Sequence, residues 1–150
     1  MYQDSKKNKL TFSNQSSIND YTIINSIGKG CRSTLFKVEE NASHDIYAMK
    51  IISKSNIKEK YQQIQNNIEL LSTINHPSII KIYDKFEIKN DKNEEVFVII
   101  MDYCENGTLI DYSTTYGFTN EEKRKIAYHI LEAICYLHKH GISHNNIKPE

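Results

Sequence analysis

The sequence lacks several features that would assign it quickly to a class. Lys and Arg balance Asp and Glu at 19 each, so no basic excess favours a nucleic-acid or anionic-membrane partner. The longest apolar run, residues 96–101, is too short to span a bilayer, and residues 1–10 carry no apolar stretch typical of a secretory signal. The three cysteines, Cys31, Cys104 and Cys135, show no C-x-x-C spacing, which is typical of free thiols in a reducing compartment. We therefore expect a cytoplasmic protein, with the nucleus as an alternative.

The first part of the sequence predicts strands around one helix. Residues 1–19 are polar and are predicted to form a disordered arm, because they bury too little apolar surface to offset chain entropy. Runs of β-branched and aromatic residues predict strands at 21–27, 34–38, 46–52, 79–88 and 96–101. Between the third and fourth of these strands, apolar residues recur at helical spacing, namely Ile57, Tyr61, Ile64, Ile68 and Leu71.

The second part predicts helices and no further strand. Thr119 and Glu122 form a capping box, which marks the start of a helix. Apolar residues on one face follow at Ile126, Ile130, Ile134 and Leu137, and Gly141 ends the helix. An apolar stripe of this kind rarely stays in water, so the helix at residues 119–139 is a candidate for binding another protein.

Two glycines and a lysine suggest a phosphate-binding arrangement. Gly28 and Gly30 lie between the first two predicted strands, and Lys50 lies in the third. Glycines let the backbone approach phosphates closely, and a lysine neutralises their charge. A dinucleotide-binding fold is excluded, because its glycines lead into a helix and these lead into a strand. On these residues alone, a plain hairpin turn with a surface lysine stays open as an alternative.

Several short motifs follow one another in a fixed order along residues 20–150. They are Ile27-Gly28-Lys29-Gly30-Cys31-Arg32-Ser33-Thr34-Leu35, Ala48-Met49-Lys50, Asn75-His76-Pro77, Val98-Ile99-Ile100-Met101-Asp102-Tyr103-Cys104, Gly107-Thr108-Leu109 and His144-Asn145-Asn146-Ile147-Lys148-Pro149-Glu150. In this order and spacing they resemble the motifs of a eukaryotic protein kinase domain. The ending Lys148-Pro149-Glu150 resembles the serine/threonine type.

The resemblance implies an ATP site built on these motifs. The glycine loop and Lys50 would hold the phosphates, backbone groups of Asp102 and Cys104 would hydrogen-bond the adenine, and Met101 would be the gatekeeper. The residues implied in nucleotide binding are Ile27, Gly28, Lys29, Gly30, Leu35, Ala48, Lys50, Met101, Asp102 and Cys104.

One departure from the family pattern concerns the helix carboxylate that pairs with Lys50. By the resemblance it lies ten positions before Pro77, where this sequence has Asn67. Glu69 is two positions further on, about 200° round a helix, and is predicted to face away from Lys50. Asn67 offers only a neutral amide oxygen, which makes a weaker contact than a carboxylate.

The catalytic loop departs as well. The family's H-R-D reads His144-Asn145-Asn146, and the family's Asp accepts the proton of the substrate hydroxyl. The amide of Asn146 can orient a hydroxyl but has no basicity near neutral pH, so it cannot act as a general base. Lys148 matches the lysine of the loop. The family's metal-binding Asn would follow Glu150, so we predict no metal site in this sequence and ATP binding no tighter than about millimolar.

The sequence thus predicts an α+β fold. Residues 20–102 would form a kinase-like N-lobe with a five-stranded antiparallel sheet and the αC helix, and residues 103–150 the hinge and the first helices of a truncated C-lobe. The predicted function is a serine/threonine kinase-like domain without catalytic activity. Two alternatives stay open: a non-catalytic scaffold that regulates an intact kinase, and a fragment of a longer active or inactive kinase.

Overall fold

The computed structural model describes residues 17–30, 33–56, 60–90 and 92–149. They form the predicted α+β fold, with one curled antiparallel sheet in the strand order β1-β2-β3-β4-β6-β5. The strands are β1 (Ser17–Ile18), β2 (Tyr21–Lys29), β3 (Ser33–Glu40), β4 (Ile46–Ser53), β5 (Ile82–Lys89) and β6 (Glu95–Asp102).

Two strand positions differ from the sequence prediction. β1 is an additional sixth strand, because Ser17 and Ile18 pair with β2 where a disordered arm was expected; residues 1–16 of that arm lie outside the described residues. β5 begins at Ile82 and not at residue 79. The backbone N–H of Ile79 donates to the His76 carbonyl at 3.0 Å, so this stretch closes a turn around Pro77 before the strand starts.

The two faces of the sheet have different partners. Residues alternate between faces along a strand, and one face carries a cluster of largely aliphatic side chains that includes Ile23, Val38, Met49, Ile51, Val96, Val98 and Ile100, all at 0% exposure. The other face carries α1 (Tyr61–Ser72), where Ile68 packs with Ile52, Phe97 and Ile99. The predicted apolar stripe of the helix is confirmed in Tyr61, Ile64 and Ile68, while Ile57 lies outside the described residues.

The chain divides into two compact units. The first holds the described residues of Met1–Ser72 together with Ile82–Tyr103, and the second holds Thr73–Lys81 with Cys104–Glu150. The grouping of residues 73–81 with the second unit was not predicted from the sequence. The helices of the second unit are α2 (Leu109–Tyr116) and α3 (Asn120–Lys139).

Helix α3 starts as predicted but exposes a different face. Thr119 and Glu122 form the expected capping box. On the predicted apolar face, Leu137 is buried, and Ile126, Ile130 and Ile134 are half-buried. The exposed apolar side chains are instead Tyr128 and Leu131, at 60% and 61% exposure. Helical spacing predicted an apolar stripe on α3. Only the packed structure shows which apolar side chains of the helix are buried and which are exposed.

Candidate nucleotide and catalytic-loop site

Four of the residues implied in nucleotide binding share one face of the sheet. Leu35 pairs with Lys50 across β3 and β4, and Ala48 pairs with Met101 across β4 and β6. Directly paired residues of antiparallel strands lie on the same face, and residues two apart on one strand do as well. These four positions therefore lie on the face that carries α1, because Ile52 follows Lys50 by two positions and packs against Ile68.

The glycine turn joins β2 and β3. The N–H of Gly30 donates to the Ser33 carbonyl at 2.8 Å, while Cys31 and Arg32 lie outside the described residues. Ile27 is 38% exposed, and Lys29 is also exposed. Gly28 has a backbone φ outside the left-handed region, and a Cβ there would meet Leu35 Cβ at an ordinary 3.5 Å. The fold itself therefore does not require glycine at position 28.

The predicted hinge begins at the end of β6. The Tyr83 hydroxyl on β5 donates to Asp102 Oδ1 at 2.8 Å, and this bond raises the pKa of Tyr83. The Tyr83 ring also packs edge-on against the Tyr47 ring, at 5.0 Å between ring centroids, so both its hydroxyl and its ring have a partner on the sheet. No sequence pattern indicated this Tyr83 contact, because an exposed tyrosine on an edge strand resembles any surface residue. Cys104 is exposed and belongs to the second unit.

Glu69, the one carboxylate of α1, pairs with a lysine of β5. Glu69 Oε2 lies 2.5 Å from Lys85 Nζ on β5, so its charge is engaged away from β4. Within the described part of the chain, Lys50 takes part in none of the ion pairs or side-chain hydrogen bonds. Asn67 is an exposed residue of α1 next to the buried Ile68.

The catalytic-loop segment of the second unit is held by short-range hydrogen bonds. Asn145 adopts φ 58°, a left-handed conformation that asparagine tolerates better than most residues, and its side-chain amide donates to the Ser143 carbonyl at 3.2 Å. The Asn146 N–H donates to His144 Nδ1 at 3.2 Å, which makes that ring nitrogen an acceptor. Asn146 and Lys148 are exposed. The backbone N–H of Ile110 donates to the Pro149 carbonyl at 3.3 Å and ties the segment to α2.

Two cavities lie apart from the residues implied in nucleotide binding. One, of about 310 Å³, is in the second unit between the Asn106–Leu109 region and α3, and the other, of about 350 Å³, lies between α1 and β5. Across the described residues, no group of three or more His, Cys, Asp or Glu side chains is arranged to hold a metal ion. Nor does any helix of that part of the chain have the length and apolarity to cross a membrane.

Comparison with known proteins identifies the class to which these motifs belong. The family model described as "Protein kinase domain" matches residues 21–150, which is most of the chain. The chain therefore belongs to the protein kinase domain family. The similar proteins cds1 and RAD53 are named serine/threonine-protein kinases.

The relatives are much longer than this chain. Serine/threonine-protein kinase cds1 of Schizosaccharomyces pombe is 32% identical over 99% of this chain and 32% of its own length. NUAK family SNF1-like kinase 1 of Homo sapiens is 35% identical over 87% of this chain and 19% of its own length. The crystal structure of Rad53 residues 1–466 in complex with AMP-PNP is similar at a TM-score of 0.73, with 32% identity over 87% of this chain and 33% of that chain. The chain thus spans about a third or less of these proteins.

Proposed function

We propose that this chain is a serine/threonine kinase-like domain that binds ATP weakly and does not transfer phosphate at an appreciable rate. The observation that carries the proposal is Asn146 in the place of the family's general base. Its N–H donates to His144, and its exposed side chain holds no group that can take a proton near neutral pH. General acid–base catalysis contributes about 10²–10⁴-fold to rate, so its loss alone makes turnover slow.

We expect weak nucleotide binding because the sheet keeps residues implied in ATP binding, while α1 lacks the carboxylate that would pair with Lys50. Leu35, Ala48, Lys50 and Met101 share one face, and AMP-PNP is bound by the similar Rad53 structure. Gly28 occupies a position where the fold would accept a Cβ, which supports a role in approaching a ligand and not in forming the turn. Asn67 cannot give Lys50 a carboxylate partner, so the ammonium is less firmly placed for phosphate.

The catalytic part of the proposal is tested by Asn146→Asp in the full chain. We expect phosphate transfer from labelled ATP to a generic peptide to be undetectable in the wild-type protein and not to recover in this variant or in the double variant Asn146→Asp, Asn67→Glu, because no group of three or more His, Cys, Asp or Glu side chains among the described residues is arranged to hold a metal that neutralises phosphate charge. Measurable recovery in the double variant would show that the two asparagines alone account for the inactivity. Wild-type transfer that Lys50→Met abolishes would contradict the proposed inactivity.

The binding part is tested by titrating ATP into the full chain by calorimetry. We expect a Kd no tighter than about 1 mM. Asn67→Glu should tighten it, and Gly28→Ala should weaken it while leaving the thermal midpoint nearly unchanged. A Kd in the micromolar range for the wild type, or an equal loss of stability and affinity in Gly28→Ala, would count against this assignment.

A second candidate function is a non-catalytic module that regulates an intact kinase. The exposed Tyr128 and Leu131, three positions apart on α3, favour it, since adjacent apolar side chains on one helix face suit a protein contact. Co-sedimentation with an active serine/threonine kinase should then occur and be lost in Leu131→Glu, with Glu121→Lys as a control on the same helix. Equal binding by wild type and Leu131→Glu would exclude this face.

A further inference from the structure

Helix α1 carries a polar stripe of Tyr61, Gln65 and Glu69. These residues are spaced four apart and therefore lie on one side of the helix. The Tyr61 hydroxyl donates to Glu87 Oε1, and Gln65 Nε2 donates to the same oxygen at 3.2 Å and to the Tyr61 hydroxyl at 2.6 Å. Glu69 Oε2 meets Lys85 Nζ at 2.5 Å. Every member of the stripe thus contacts β5 through Lys85 or Glu87.

The partners on β5 are held by further contacts. Lys85 and Glu87 are two apart on the strand and pair with Ile99 and Phe97 of β6, so they share the face that carries α1. Lys85 is 27% exposed and also donates to Ser72 Oγ at 3.2 Å, at the end of α1. The Lys54 side chain is 20% exposed, and its ammonium lies 2.5 Å from Glu87 Oε2 and 4.8 Å from the Tyr61 ring centroid. Its hydrogen bond with Glu87 raises the pKa of Lys54.

The order of charges along these contacts fixes the register of the helix. Four helix residues advance about 6 Å, close to the rise of two strand residues, so a slide of α1 by four residues would exchange the partners of the stripe. In one direction such a slide brings Glu69 against Glu87, two like charges. In the other it leaves Lys85 opposite the neutral Gln65. Only the observed register pairs opposite charges.

We propose that the contacts of this polar stripe with β5, and not a carboxylate partner of Lys50, set the register of α1 on the sheet. The family's Lys–Glu pair is absent because Asn67 occupies the glutamate position, and within the described residues Lys50 makes none of the ion pairs. Tyr61, Glu69, Lys85 and Glu87 are then positioning residues for α1. This goes beyond the proposed function, since the helix stays docked whether or not nucleotide binds.

The experiment is amide hydrogen exchange of α1 in the nucleotide-free full chain. Glu69→Lys should speed exchange of the α1 amides by about two- to fivefold, the range expected from losing one partly exposed ion pair. The charge-swapped double variant Glu69→Lys, Lys85→Glu should restore protection, which a general loss of folding would not. Glu87→Ala, which removes the shared acceptor of Tyr61, Gln65 and Lys54, should have a larger effect than Glu69→Lys.

Two control variants distinguish a role of the polar stripe from a role of Lys50 in positioning α1. Glu121→Lys makes the same change in an exposed ion pair of α3, 2.8 Å from Lys125, and should leave α1 unchanged. Lys50→Met should also leave α1 protection unchanged. The inference is overturned if Lys50→Met opens α1 as much as Glu69→Lys, if the double variant is not rescued, or if neither stripe variant alters exchange. The exchange experiment contains no nucleotide, so a negative result would not bear on the weak ATP binding that the calorimetric titration tests.

Discussion

The two units of the chain are stabilised in different ways. In the first, each sheet face carries its own apolar cluster, and the apolar side chains at 0% exposure among the described residues, from Ile23 to Ile100, all lie in one of the two. In the second, the buried apolar side chains among the described residues are Ile74 and Leu137, at 7% and 4% exposure. The stability of the first unit should therefore be sensitive to substitutions in its core. The stability of the second unit, with few buried side chains, should depend more on helix capping and on contacts between aromatic rings.

The second unit shows this reliance on local contacts directly. Both of its helices start with a capping box, Thr108 with Asp111 and Thr119 with Glu122. The rings of His76 and His140 pack against Tyr136, at 4.9 and 4.3 Å between centroids, and His140 Nδ1 donates to the Tyr136 carbonyl at 2.8 Å. These contacts join residues 73–81 to the end of α3, although about 60 residues separate them in the sequence.

The largest expected effect would test the core of the first unit. Ile51→Ala removes a side chain that is 0% exposed in the centre of the sheet and should lower the free energy of unfolding by about 2–5 kcal/mol. Leu131→Ala in the second unit is the matched control, because that side chain is 61% exposed and should change stability by about 0.5 kcal/mol or less. Urea unfolding followed by circular dichroism measures both. Similar losses of unfolding free energy in the two variants would contradict this difference between the two units.

A smaller effect is expected at a helix start of the second unit. Thr119→Ala removes the hydroxyl that accepts the Glu122 N–H at 3.2 Å and should cost about 1 kcal/mol. Thr119→Ser keeps the hydroxyl and should retain most of the stability. Thermal unfolding of the three proteins distinguishes a capping role from side-chain packing, because a packing role would make serine nearly as costly as alanine.

The smallest effect is a pH dependence of the same cap. Hydrogen bonds from Thr119 lower the pKa of Glu122, as those from Thr108 lower the pKa of Asp111. A carboxylate with a lowered folded pKa stabilises above its ordinary pKa, and that contribution is lost as pH falls through the lowered value. The Thr119 amide proton, followed by NMR between about pH 6 and 2.5, should therefore shift below the ordinary glutamate pKa. In Glu122→Gln that shift should vanish; a shift that persists would assign it to another group.

Local rules account for much of the fold that the sequence predicts. The strands around Gly28 and Gly30, the helix ending at Ser72 and the start of α3 at Thr119 follow from residue spacing and from side-chain hydrogen bonds to nearby backbone. The same capping logic would have found α2, since Asp111 follows Thr108 by three residues, a signal that went unused. The short β1 carries no such signal, because two residues are too few to show a period.

The chemistry of single positions and the local secondary structure follow from the residues themselves. The side-chain amide of Asn146 cannot act as a base near neutral pH, and the amide of Asn67 carries no charge, whatever structure surrounds them. Tertiary structure alone decided the partners: Glu69 with Lys85, Tyr83 with Asp102, and the covered side of α3. Such contacts join residues far apart in the chain, and they form only because burial of the sheet faces fixes which strand and which helix face lie together.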